Sequence, residues 1–94
     1  MIQAVFFTGP SGELTGFRLT GHSGLAEEGS DILCAAVSSA AYMTANTVSD
    51  VIRAEARITA DEGYMNVAVA LRDAKRCRDL FEGFKLHLEG LEEQ

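Results

Sequence analysis

The chain has 94 residues and a formal net charge of −6, from 8 Lys and Arg against 14 Asp and Glu. That length gives one domain with one modest core, and a composition with 47% hydrophobic residues, 9 Gly and 1 Pro excludes a disordered or collagen-like chain. The acidic balance argues against direct binding to nucleic acid, whose phosphates need clustered Lys and Arg, and suits a basic partner. Two cysteines, Cys34 and Cys77, are too few for a disulfide framework or a Cys-rich zinc site. The N-terminal MIQAVFFTGPSG has no basic stretch followed by a long apolar one, so no signal peptide is expected. The charge-free run from Ile32 to Ser49 reaches the length of a membrane span. It carries Ser38, Ser39, Thr44, Asn46, Thr47 and Ser49, and so reads as a packed helix. The expectation is a soluble, reduced, cytoplasmic protein.

Ile2 to Thr8 is rich in β-formers and predicts a strand. Gly9-Pro10-Ser11-Gly12 is a turn. Leu14 to Thr20 alternates, with Leu14, Gly16, Arg18 and Thr20 on one face and Thr15, Phe17 and Leu19 on the other, and completes a hairpin. Gly21 to Ser30 holds three glycines and two glutamates and reads as an exposed loop. A long helix follows from about Asp31 to Arg53, capped by Ser30 or Asp31 and rich in small residues that permit close packing. Ala54 to Ala60 alternates, Asp61-Glu62-Gly63 turns, and Tyr64 to Leu71 puts Met65, Val67, Val69 and Leu71 on one face, giving a second hairpin. The chain closes in an amphipathic helix from about Asp73 to Glu92, with Ala74, Cys77, Leu80, Phe81, Phe84, Leu88 and Leu91 at three- and four-residue steps. The order ββαββα predicts an α+β two-layer sandwich, a mostly antiparallel sheet covered by two helices. The other sheet face, or the small-residue helix, is then free for self-association.

One segment gathers reactive side chains: GHSGLAEEGSDILCAAVSS. His22 follows the second strand, and Cys34 lies in the first turn of the long helix. With Asp31 as cap, Cys34 is the third residue in, and the helix's positive end favours its thiolate. A histidine across a short loop can take the thiol proton, which is the logic of a Cys–His dyad. Asp31, three residues before Cys34, and Ser38, four after, share its helical face. A carboxylate there orients an imidazole or simply caps the helix. The same residues admit plainer roles: Cys34 as a small buried hydrophobe, His22 and the pair Glu27 and Glu28 as solvated loop residues, Ser38 as an ordinary helix residue. An open metal site of His22, Asp31 and Cys34 lacks the paired spacings that mark such sites. Cys77 belongs to the apolar stripe of the last helix and reads as structural; His87, off that stripe, reads as solvated.

Gly21-His22, a glycine-containing loop and Asp31-Ile32-Leu33-Cys34-Ala35-Ala36-Val37-Ser38 closely resemble the signature of the bacterial ribosomal-processing cysteine protease family, Prp. The resemblance spans most of the chain, since the opening hairpin, the Gly-His pair, the loop, the Ala-rich helix and the later strands come in the family's order. It implies Cys34 as nucleophile, His22 as general base, and Asp31 and Ser38 in support. It also implies a substrate, the precursor of large-subunit ribosomal protein number twenty-seven, from which a short N-terminal extension is removed. A homodimer is implied as well, with a flexible loop over the site, here Ser23 to Ser30, and neither a cofactor nor a metal. Gly21, Ser23, Gly24 and Gly29 would let that loop close on substrate. Glu27 and Glu28, which family membership does not require, would steer a basic one. Backbone N–H groups at the start of the long helix would face the developing oxyanion. A rival reading from a different class is a non-catalytic acidic module that escorts or caps a basic ribosomal protein. A third is a redox-sensing thiol at Cys34.

Overall fold

The computed structural model describes residues 2–21 and 31–93, with the side chain of Asp31 outside the described part. The elements are β1 (Gln3–Thr8), β2 (Leu14–Thr20), α1 (Asp31–Asn46), β3 (Ala56–Asp61), β4 (Tyr64–Val69) and α2 (Ala74–Glu92), in the order ββαββα. The four strands form one sheet in the order β1-β2-β4-β3, antiparallel throughout. Both expected hairpins form. The β1–β2 turn uses Gly12 at φ 82° and the β3–β4 turn uses Gly63 at φ 74°, backbone angles that glycine adopts without steric cost.

Pairing of Phe6 with Phe17, Phe17 with Val67 and Leu19 with Met65 puts the large apolar residues on one face. Both helices cover that face. α1 contributes a stripe of Val37, Ala41, Thr44 and Ala45, continued by Val48, and α2 contributes Ala74, Cys77, Phe81 and Phe84, all buried. Thr44, the one buried polar side chain among the described residues, donates its hydroxyl to the Ala40 carbonyl at 2.8 Å, which satisfies it inside the core. Phe17 lies 4.7 Å from Phe84 and 6.2 Å from Phe81, ring centre to ring centre, so sheet and helix meet through aromatic contacts. Gly16 sits where the strands crowd: a Cβ there would meet the Val67 carbonyl oxygen at 2.0 Å.

The face of Leu14 and three element boundaries differ from the expectations. Leu14 is buried with Phe17, although strict alternation sets them on opposite faces. The register shifts between Phe7 and Thr8, where Thr8 pairs with Leu14 and Phe7 with Gly16, and this bulge returns Leu14 to the core side. The long helix stays α-helical only to Asn46; Thr47–Ile52 form a wider π-type turn. That turn ends at Arg53 in the left-handed region (φ 59°), with the N–H groups of Arg53 and Ala54 both donating to Val48. The second hairpin's last strand stops at Val69, and Leu71 is an exposed residue of a 3₁₀ turn, Leu71–Asp73, not a core residue of the strand. β3 starts at Ala56, not Ala54.

The junction between the π-type turn and α2 is tied by polar contacts. The Asp73 carboxylate accepts the Glu55 N–H at 2.8 Å and Arg76 at 3.0 Å, while Arg76 also reaches the Ile52 carbonyl and Arg72 pairs with Glu55. The Glu55 N–H, and after it the Arg76 guanidinium, hold the Asp73 carboxyl below the usual carboxylate range. No helix among the described residues is long and apolar enough to cross a membrane.

Candidate active site

Two elements flank the reactive segment of the chain, β2 before it and α1 from Asp31 onward. α1 begins at Asp31, so Cys34 is its fourth residue, still in the first turn, and the capping position falls on residue 30, outside the described residues. Cys34 is a free thiol and is buried, one turn before Val37 at the head of the helix's inward stripe. The continuous core begins at Val37 and does not include Cys34. Ser38, one turn on, is half-buried. Leu33 and Ile32 on the other side of Cys34 are open to solvent, Ile32 by 83%.

β2 supplies the second approach. It ends at Thr20, and Gly21 follows at φ 84° with its N–H donated to the Gly63 carbonyl at 2.8 Å. The chain is thus pinned to the β3–β4 turn one residue before His22. His22 and the loop residues Ser23, Gly24, Glu27, Glu28 and Gly29 lie outside the described residues, and so does the Asp31 side chain.

A groove of about 180 Å³ runs past Leu33, the residue before Cys34, although Cys34 itself does not line it. Leu33 and Val37 of α1, Ile2 and Ala4 at the start of the chain, Leu19 of β2, and Leu88, Leu91 and Glu92 of α2 line it. The sequence places Leu88 and Leu91 on an apolar stripe but not at a groove. The available signal was that this stripe runs beyond the last fully buried aromatic, Phe84, into residues that stay only half-buried.

The second cysteine has a different environment. Cys77 is fully buried against the sheet, and desolvation first, then the Asp73 carboxylate, pushes its thiol up, with Arg76 opposing. A thiol held protonated in the core is no nucleophile, which matches its structural reading. His87 is exposed, as expected, on the wall of a wider groove between the helices. Among the described residues no group of three or more His, Cys, Asp or Glu could hold a metal ion; the triple of His22, Asp31 and Cys34 rests on residues outside that part.

A family profile described as cysteine protease Prp matches residues 1–94. The chain belongs to the cysteine protease Prp family. It is therefore a cysteine protease, and the escort reading, which needs no catalytic thiol, gives way. The fold agrees with solved structures. A Streptococcus mutans protein superposes with a TM-score of 0.84 at 33% identity, over 99% of this chain and 84% of that one. The essential ribosomal processing protease Prp from S. aureus, crystallised with a substrate peptide, superposes with a TM-score of 0.86 at 20% identity, over 100% of this chain and 91% of that one. The S. aureus protein with a covalently linked product peptide gives 0.83 at 21% identity, over 99% and 90%. A search of curated protein sequences found no match.

Proposed function

We propose that this Prp-family protease is a cytoplasmic endopeptidase that processes a ribosomal protein, with Cys34 as nucleophile and His22 as general base. The observation that carries the proposal is the family match over the full 94 residues, which include a cysteine in the first turn of α1. The S. aureus relative, whose structure holds a covalently linked product peptide, is itself a ribosomal processing protease. The substrate proposed here is the precursor of large-subunit ribosomal protein number twenty-seven. It is a basic protein, and a chain of net charge −6 complements it.

In this mechanism His22 takes the Cys34 proton and the thiolate attacks the scissile carbonyl. The S–C bond forms, the C–N bond breaks, and His22 returns its proton to the departing amine. Water then adds to the thioester, His22 taking its proton, and the acid leaves with Cys34 restored. The positive end of α1 favours the thiolate and faces the developing oxyanion. Asp31 and Ser38 support the dyad, and the segment with Gly21, Ser23, Gly24, Glu27, Glu28 and Gly29 contacts the substrate. The 94 residues act as a single protease domain, and two copies associate through apolar residues exposed on the helical layer, among them Tyr42, Met43 and Leu86.

The test is mass spectrometry of the host's precursor incubated with wild-type protein and with Cys34→Ala. A single N-terminal cut made only by the wild type is the expected result. A variant that cuts at the normal rate removes Cys34 as nucleophile, and an intact precursor with a reactive Cys34 removes the substrate.

A further inference from the structure

We infer that a groove between the β1–β2 turn and the start of α2 is an RNA-docking surface, where Arg72, Lys75 and Arg78 take backbone phosphates and Glu13 accepts a ribose hydroxyl. The inference builds on the reading of this chain as a protease for a ribosomal protein, a class of protein that is assembled on RNA. A net charge of −6 argues against such a partner only where the charges are mixed, and here they are segregated. Residues 72–78 hold four of the 8 Lys and Arg against one acid, Asp73. Leu33, the neighbour of Cys34, meets Leu91 at the far end of α2. Glu89, Glu92 and Glu93 gather at that far end, and no Lys or Arg follows Lys85. At 1.5 Å per residue Lys75 and Glu89 are about 21 Å apart along α2. Salt screens charge over about 8 Å at physiological strength, so a phosphate at Lys75 scarcely senses those carboxylates.

The groove has a volume of about 650 Å³, within the range of small-ligand sites. Lys75 and Arg78 are both exposed, and neither is in an ion pair among the described residues. Three apart on one helix, they stand about 5–6 Å from each other. Arg72 adds a third cation; its pair with Glu55 is open to solvent on both sides, and such a pair is readily shared. The positive end of the 19-residue α2 lies at the same place. Other cations are committed elsewhere: Arg18 lies over the Phe7 ring, and Arg76 is held by Asp73 and the Ile52 carbonyl. Pro10 and the exposed Leu71 add an apolar surface on which a base can pack. Glu13 gives the groove its selectivity. It lines the groove, yet its Oε1 is buried with no hydrogen-bond partner, on the side where a Gly9 Cβ would collide with it. A carboxylate repels phosphate but accepts from the ribose 2′-OH, the group that separates RNA from DNA.

The experiment is fluorescence anisotropy of the full chain with a labelled single-stranded RNA of about 12 nucleotides, and with DNA of the same sequence, from about 50 to 200 mM KCl. The RNA should bind in the range of about 10⁻⁴–10⁻⁶ M, with a log–log salt slope of about −2, the value for three phosphates on a single strand. It should bind about tenfold more tightly than the DNA, as one hydrogen bond to a charged acceptor provides. Lys75→Glu with Arg78→Glu should weaken RNA binding at least about tenfold and flatten the slope. If that protein does not fold, Lys75→Gln with Arg78→Gln must weaken binding in its place. Glu13→Ala should erase the preference for RNA over DNA. Absence of binding at about 10⁻⁴ M, equal affinity for RNA and DNA in the wild type, or charge variants that bind as the wild type does overturn the inference. So does polyglutamate that displaces the RNA as well as unlabelled RNA does, since the groove would then serve an acidic peptide. A protein that cuts the ribosomal precursor but binds no RNA overturns this inference alone. One that binds RNA as described but leaves the precursor intact upholds the surface and removes only the substrate.

Discussion

Asp73 shows how much one half-buried side chain can organise. Its two oxygens serve different partners, the Glu55 N–H and the Arg76 guanidinium, and so tie the chain before β3 to the start of α2. Both contacts favour the charged carboxylate, and its pKa lies below the ordinary value. A depressed carboxylate contributes stability above its unfolded pKa, about 3.9, and loses it as pH falls through the folded value. Asp73→Asn should therefore lower the melting temperature at neutral pH, and the gap to wild type should close progressively below about pH 4. Thermal melts of both proteins from pH 7 to pH 3 measure this, and a gap independent of pH would rule out the charge as its source. The same scale separates the two cysteines. Both are buried, but Cys77 is packed into the continuous core while Cys34 stands beyond it at the head of α1.

At the scale of the element, the second half of the long helix is the instructive case. Thr47, Val48, Val51 and Ile52 crowd β-branched side chains into two turns, and the Thr47 hydroxyl donates to the Met43 carbonyl at 2.7 Å. The helix widens there and ends on Arg53 in the left-handed region. That conformation costs an L-residue roughly 1–2 kcal/mol, whereas glycine adopts it freely and is the usual residue at such a helix end. Arg53→Gly should thus stabilise the protein by about 0.5–1 kcal/mol, or a few degrees in melting temperature, read by calorimetry. A loss of stability instead would mean that the Arg53 side chain contributes more than its backbone strain costs. The bulge in β2 belongs to the same scale: a single register shift places Leu14 in the core without interrupting the ladder that fixes Phe17 and Leu19.

For the whole molecule, cohesion depends on few large side chains, because much of the hydrophobic content is alanine. Phe17 is fully buried and touches Phe6, Phe81 and Phe84, linking the sheet to α2. Phe17→Ala should cost about 3–5 kcal/mol, a large share of the roughly 5–15 kcal/mol expected of a small domain. Urea unfolding measures it, and a cost under about 1 kcal/mol would show that the aromatic contacts are not what joins the two layers.

The ββαββα order, the two hairpins, the inward stripe of α2, the burial of Cys77 and the exposure of His87 were legible in the sequence. These properties follow from patterns spanning a few residues, alternation in strands and three- and four-residue steps in helices, and they need only neighbours along the chain. Cys34 and His22 stood out for a related reason, since a short motif carries them. The tertiary structure decided the rest. Strand order β1-β2-β4-β3, the return of Leu14 to the core and the early end of β4 depend on which strands pair and in what register. The groove depends on it most of all. Ile2, Leu33 and Leu91 are separated by most of the chain and meet only because the start of β1, the first turn of α1 and the last turn of α2 arrive at the same end of the sandwich. No local period encodes that meeting, because what brings the three residues together is the burial of one shared sheet face under two helices.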